Sequence, residues 1–510
     1  MAVITGPQVI GQEGTDSEAL FREAKRRERL RRLLVTAIVL VLVVGLFAIV
    51  VSINRGRGKI TPARVALSYR PTSPSVDAKA FSGEGSLAFI SRGTLFVLDG
   101  ATKSLQRVSL PAGSTPASPT FSPDGRWLAY TASRSTNAGQ TTQVWIAAAN
   151  GTHAHEITGL LDPDLIGWNP RSDQIAVISA TPLATRFGNT LDEASRLWSI
   201  APTGSRHLVM TASSIEGAAW SPNGKQIAVS TDTFPWATYV HTWSSTLSVY
   251  PVSGGAPVVW FHLSNTAYFG GEKGNFILPV QWIPKWGVAF WTIGDGAGPS
   301  DGSIQDGGGL DLFTLNGPGD SPHLLGSVLS NGTVQAVEAT STGELAITVD
   351  NGGAKPMWID QSVENCSQAT FRCTPVKKAA GTISLDPAWS ADGSALAYEV
   401  GKASQNEGFD QKYVSGWYDS LQLWLYRPST QSNVMVPSAR GAVVPSWSTT
   451  GHSLLYVADD GIWLWKNLQG TPVEVAGPLL PPTDWKAFYG QIDWSNQFAW
   501  SRGIAGSSGS

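Results

Sequence analysis

Apolar and polar positions alternate along this chain in short runs, and one turn signal keeps interrupting them. Phe121-Ser122-Pro123-Asp124-Gly125-Arg126-Trp127-Leu128-Ala129-Tyr130 returns as Trp220-Ser221-Pro222-Asn223-Gly224-Lys225-Gln226-Ile227-Ala228-Val229, and again as Trp389-Ser390-Ala391-Asp392-Gly393-Ser394-Ala395-Leu396-Ala397-Tyr398. Each copy reads as two strands joined by a tight turn. An aromatic residue closes the first strand, Pro presets φ, Gly supplies the positive φ that closes the hairpin, and a short apolar run opens the second strand. Looser copies begin at Phe81, Trp168, Trp282, Thr340 and Trp447. Taking Phe81, Phe121, Trp168, Trp220, Trp282, Ala339, Trp389 and Trp447 as anchors, the spacings are 40, 47, 52, 62, 57, 50 and 58 residues.

A third apolar strand follows in most units, as in Leu95–Leu98, Val144–Ala147, Leu197–Ile200, Leu247–Tyr250, Leu310–Phe313, Leu421–Tyr426 and Ile462–Trp465. A turn and a fourth short segment such as His155–Thr158 complete the unit. Four antiparallel strands at this period predict the blades of an all-β propeller, eight by count and seven as the alternative. One blade cannot bury both of its faces, so blades stack around an axis, and large anchor aromatics suit the gaps between them. That accounts for the 21 Trp residues without a ligand. The stretch Gln491–Ser501 reads as two further strands that complete a blade begun near Phe81 and seal the ring.

The phrase resembles the WD40-like (PD40) repeats of the TolB-type propeller family, whose units carry Trp-Ser-Pro-Asp-Gly, a basic residue and a short apolar strand. The resemblance covers roughly residues 65–503. It implies the fold, and it leaves function open among binding modules, peptidase-attached domains and envelope scaffolds.

One run departs from the alternation. Residues 33–53 carry no charge over 21 positions, enough to cross a hydrocarbon core as a helix. The long leader before the run, its length and the lack of an Ala-x-Ala-like site favour an uncleaved signal anchor over a cleaved signal peptide. Seven Lys or Arg precede it (Arg22, Lys25, Arg26, Arg27, Arg29, Arg31, Arg32) and four follow it (Arg55, Arg57, Lys59, Arg64), which places the N-terminus inside and the propeller outside the cytoplasm. The expected organisation is a basic cytoplasmic segment 1–32, a transmembrane helix 33–53, a linker 54–64, a propeller 65–503 and a flexible tail 504–510.

Charge narrows the partners. Residues 1–64 hold 11 Lys or Arg against 5 Asp or Glu, leaving 25 against 34 in the rest. A mildly acidic propeller lacks the basic face that nucleic acid requires. Cys366 and Cys373, seven apart in one loop, form a candidate disulfide in an oxidising compartment, with free thiols as the alternative. Asp295, Asp301, Asp306 and Asp311 offer hard oxygens suited to Ca²⁺, but their spacing matches neither an EF-hand nor a Gly-Gly-x-Gly-x-Asp repeat. A solvated loop between two strands of the fifth blade is the expected reading, and no cofactor is assigned. No Gly-x-Ser-x-Gly elbow follows a strand and opens a helix, and no His-Glu-x-x-His motif occurs. The expectation is a non-catalytic, membrane-anchored module of the cell envelope that binds a protein, peptide or glycan. Phe234, Trp236, Trp417 and Tyr418 are its candidate interface residues. The alternative is a glycosidase- or lyase-like propeller enzyme with its site at the channel mouth.

Overall fold

The computed structural model describes residues 73–136, 139–157, 159–182, 193–233, 241–267, 277–293, 309–329, 337–350, 361–376, 380–403, 420–437, 441–479 and 494–501. They form eight antiparallel sheets of four strands, one of them extended by a fifth strand. Helix among them is confined to two 3-10 turns, Lys466–Leu468 and Trp494–Asn496. No helix among the described residues is long and apolar enough to cross a membrane, and the 33–53 run lies outside them.

The sheets are the blades of an eight-bladed propeller. Their inner strands are Phe498–Ser501 (blade 1), Ser114–Phe121 (blade 2), Leu161–Trp168 (blade 3), Ser214–Trp220 (blade 4), Leu278–Ile283 (blade 5), Val337–Ala339 (blade 6), Thr382–Trp389 (blade 7) and Val443–Trp447 (blade 8). Within blades 2 to 7, and over the first four strands of blade 8, the strands follow in chain order from the axis outward. The outermost strands, such as Ser104–Arg107 and Arg372–Pro375, are largely exposed.

Closure differs in detail from the sequence expectation. Phe81 does not end a strand but sits in the turn before Ser86–Ser91, the second strand of blade 1. The missing inner strand is Phe498–Ser501, which pairs Phe89 with Phe498 and Ser86 with Ser501. The described part of the C-terminal stretch, residues 494–501, therefore supplies one strand where two were expected, because blade 1 lacks only its innermost member. Ser75–Val76 forms the fifth strand of blade 8 by pairing with Val473–Gly477. The ring is thus latched at its inner and outer edges by opposite ends of the described chain.

There is no single core. The buried apolar residues fall into eight clusters, and each joins two adjacent blades. The second strand explains how. Its side chains alternate between faces, and both faces are buried, so a small residue and a large one point into opposite seams. Ala88, Ala129, Ala176, Ala228, Ala346 and Ala397 each share a seam with the anchor aromatic of the next blade: Phe121, Trp168, Trp220, Trp282, Trp389 and Trp447. Alanine in the Leu-Ala-Tyr phrase is the space that the next blade's ring occupies.

Candidate functional site

The turn phrase spends its polar groups on folding. Ser122 Oγ accepts the Trp127 amide at 2.9 Å and donates to Asp124 Oδ1 at 2.6 Å, while Asp124 accepts the Arg126 amide at 3.0 Å. Burial alone would push the Asp124 carboxyl up, but these hydrogen bonds and the Arg126 charge hold it below its ordinary value. Ser221 with Asn223, and Ser390 with Asp392, repeat the arrangement. These carboxylates are committed to the turns.

The anchors are equally committed at one atom. Trp168 Nε1 donates to Thr120 O at 3.1 Å, Trp220 Nε1 to Gly167 O at 3.1 Å, and Trp447 Nε1 to Ala388 O at 2.9 Å. In each case the acceptor is the residue just before the preceding blade's anchor. A regular bond thus ties each of these inner strands to its predecessor.

Between the ends of four inner strands lies a depression of about 470 Å³. It is walled by Trp168 and Arg171 of blade 3, Trp220 of blade 4, Gln281 and Trp282 of blade 5, and Ser341 of blade 6, with small residues between them. A space touching four consecutive blades lies on the axis. Among the described residues its lining contains no carboxylate, imidazole or thiol. Arg171 is exposed and fixed: its amide donates to Asn169 Oδ1 at 2.9 Å and its Nε to Pro222 O at 3.2 Å. Asn169 is itself buried and donates from Nδ2 to Gly224 O at 2.8 Å.

The other half of the inner strands is acidic. Asp162, Asp164, Glu216, Glu338 and Asp386 lie on them, and no Lys, Arg or His does. Asp164 precedes Trp168 by four residues, roughly 13 Å along extended chain. Asp164 is exposed, yet the protein beside it pushes its carboxyl up by desolvation, against a backbone hydrogen bond from Leu165. Burial likewise raises Asp232, against a hydrogen bond from Ser245, and the charge of Glu216 adds to the rise.

Four inner strands also carry a β-bulge at an X-Pro step, with X at positive φ: Ser118-Pro119 (51°), Asp162-Pro163 (41°), Asp386-Pro387 (47°) and Val444-Pro445 (54°). Each pair stands opposite one residue of the second strand: Tyr130, Ser179, Tyr398 and Tyr456. Such bulges re-aim side chains at a sheet edge. At Asp386 the bulge brings its carboxyl into a hydrogen bond with Glu399, which also accepts the Val444 amide of blade 8 at 2.8 Å. Burial first, then the Asp386 charge and that hydrogen bond, push Glu399 well above the ordinary carboxylate range, against the Val444 bond.

Cys366 and Cys373 are disulfide-bonded across paired strands of blade 6. The bond closes a hairpin whose Phe371 stacks on His323 and meets Trp286 edge-on, with ring centroids 3.9 and 5.7 Å apart, so the hairpin clamps blade 5. Asp311 lies in the strand Gly309–Leu315 rather than in a loop. Asp295, Asp301, Asp306, Phe234, Trp236, Trp417 and Tyr418 lie outside the described residues. Among the described residues no group of three or more His, Cys, Asp or Glu is arranged to hold a metal. Sequence reading recognised Trp168, Trp220 and Trp282 only as packing anchors, and it missed Arg171 and Gln281 as wall residues. A signal was present: Arg171 stands where the phrase has Asp124, Asn223 or Asp392.

No family model matches the sequence. No curated protein matches it either. Among solved structures the chain is similar to the Pyrococcus horikoshii acylaminoacyl peptidase, at 9% identity and TM-score 0.41, over 71% of this chain and 52% of that one. It therefore spans about half the length of that peptidase. It is also similar to the β-propeller domain of the trilobed protease from Pyrococcus furiosus, at 10% identity and TM-score 0.41, over 72% and 99%. A putative TolB from Agrobacterium tumefaciens gives 16% identity and TM-score 0.31, over 50% and 80%. The likeness is one of propeller architecture.

Proposed function

We propose that this protein is a non-catalytic binding module of the cell envelope, anchored through residues 33–53 with its propeller outside the cytoplasm, and that it binds its ligand in the axial depression of blades 3 to 6. The observation that carries the reading is the chemistry of that wall. Three indoles, a fixed guanidinium, an amide and a hydroxyl can hold and orient a ligand, and no acid–base pair stands among them. The anchor rests on the uncharged 21-residue run and the bias of positive charge before it.

The depression also lies where the repeat is least regular. Blade 3 replaces the phrase's acidic position with Arg171, blade 5 has Lys285 there, and blade 6 has Thr340-Ser341-Thr342 in place of Ser-Pro-Asp. Where a sequence breaks its own folding rule, a functional demand is the expected cause. Ser341→Trp tests the site, because it fills the depression from an exposed position. The wild-type protein should capture members of a mixed peptide and glycan array, and the variant should lose them with its melting temperature unchanged. Equal capture by both proteins would place the ligand elsewhere.

The enzyme reading draws on Asp164 and its raised carboxyl in the acidic half. Turnover of a glycan or peptide pool by the wild type, abolished in Asp164→Asn, would replace the binding reading.

A further inference from the structure

Resting on the depression being a ligand site, we infer that its ligand is the C-terminal end of a peptide, with the terminal α-carboxylate held by Arg171 and apolar side chains against Trp168, Trp220 and Trp282. Arg171 is built for an anion. Its Nε is occupied by Pro222 O, which fixes the guanidinium plane, and its terminal nitrogens have no hydrogen-bond partner among the described residues. Two parallel N–H groups on a fixed plane match a carboxylate bidentately. The wall offers that anion no competing carboxylate, while Asp162, Asp164 and Glu216 on the remaining length of the inner strands repel it. The carboxylate therefore stays at the Arg171 end.

The rest of the wall selects a peptide over an acidic sugar. The Trp168 and Trp220 N–H groups are consumed by Thr120 and Gly167, so both rings present carbon. Thr340 is bonded to Glu344 and Thr342. Gln281, Ser341 and the Trp282 N–H are then the polar groups left to meet the ligand's body. A uronate would bring more hydroxyls than these three can satisfy, and each one left unpaired against the wall weakens its binding. A peptide end brings one or two backbone amides and apolar side chains, which this wall can satisfy. A volume of about 470 Å³ takes the last few residues of a chain and not a folded domain.

The test uses the full-length protein in detergent and two pools of labelled hexapeptides, randomised at their last three positions. One pool ends in the free acid and the other in the amide. The free-acid pool should bind at least tenfold more tightly than the amide pool, and Arg171→Gln should remove that preference, so that the two pools bind alike. Arg171→Lys should restore part of it. Equal binding of the two pools, or a preference that survives Arg171→Gln, overturns the carboxylate inference while leaving the depression a ligand site. A uronic-acid disaccharide that displaces the free-acid pool at lower concentration than an unlabelled peptide acid also overturns it. If Ser341→Trp binds every probe as the wild type does, the reading of the depression falls as well.

Discussion

The indole of Trp220 in blade 4 hydrogen-bonds the carbonyl of Gly167 in blade 3 at 3.1 Å, across a seam whose other wall is Ala176. The bond is one of a series, and the series makes the ring's stability a sum over seams. Trp220→Phe keeps most of the ring area and removes the donor, leaving Gly167 O to find water. The expected cost is about 1 kcal/mol, read as a lower denaturation midpoint with an unchanged denaturant slope. Trp447→Phe should cost a similar amount.

Ala176 makes the opposite prediction. It is 1% exposed and faces the Trp220 ring, so Ala176→Leu adds three carbons to a filled seam. Overpacking of this kind costs about 1–3 kcal/mol. The double variant Ala176→Leu with Trp220→Ala should recover part of the loss, and strictly additive midpoints would show that the two residues do not share space.

Phe498 closes the inner latch and is 6% exposed. Phe498→Ala should cost about 3–5 kcal/mol. Hydrogen exchange should localise the damage to Ser86–Ser91 and to blade 8, whose Leu455 and Val457 share the Phe498 cluster. Uniform loss of protection around the ring would argue against a seam.

Glu399 sets a pH dependence. Its ordinary value is near 4.5 and its folded value lies well above it, so the folded protein keeps a proton that the unfolded chain releases. The stability this contributes is complete below pH 4.5 and is lost as pH rises toward the folded value. Glu399→Gln keeps an acceptor for the Val444 amide and cannot ionise. Its melting temperature should fall less than that of the wild type between pH 4.5 and 8, and parallel profiles would show that Glu399 does not titrate there.

The disulfide of blade 6 closes a short loop, and chain entropy assigns it roughly 2–3 kcal/mol. Cys366→Ser with Cys373→Ser should lower the midpoint by that amount and loosen the packing of Phe371 on His323. An unchanged midpoint, with and without reductant, would remove the hairpin from the list of stabilising elements.

The blades were legible because their instructions are local. Phe121–Tyr130 contains its own turn, strand starts and packing residue, and the copies at Trp220 and Trp389 repeat them. The inner latch was legible in part: Gln491–Ser501 reads as strand that completes the first blade, but no local pattern says that one strand, rather than two, is missing from a blade more than 400 residues away. The depression was not legible. Arg171, Gln281 and Ser341 come from three blades and meet only once the ring is closed, and a periodic pattern says nothing about which copies surround a space. The Pro two residues before Phe121, Trp389 and Trp447 was a signal for the bulges, but its pairing with Tyr130, Tyr398 and Tyr456 needs the strand register.

The inner latch also imposes an order in time. A ribosome delivers Ser86–Ser91 long before Phe498–Ser501, so the first blade emerges with its axial edge bare while blades 2 to 8 can assemble behind it. Until the last strand arrives, Phe89 and Leu87 lack the cover of Phe498, and the edge beside them is free to pair with any extended segment nearby. The newly made protein is therefore most vulnerable to aggregation in the interval before its final strand docks, and a chaperone that shields a single strand edge would suffice to carry it through.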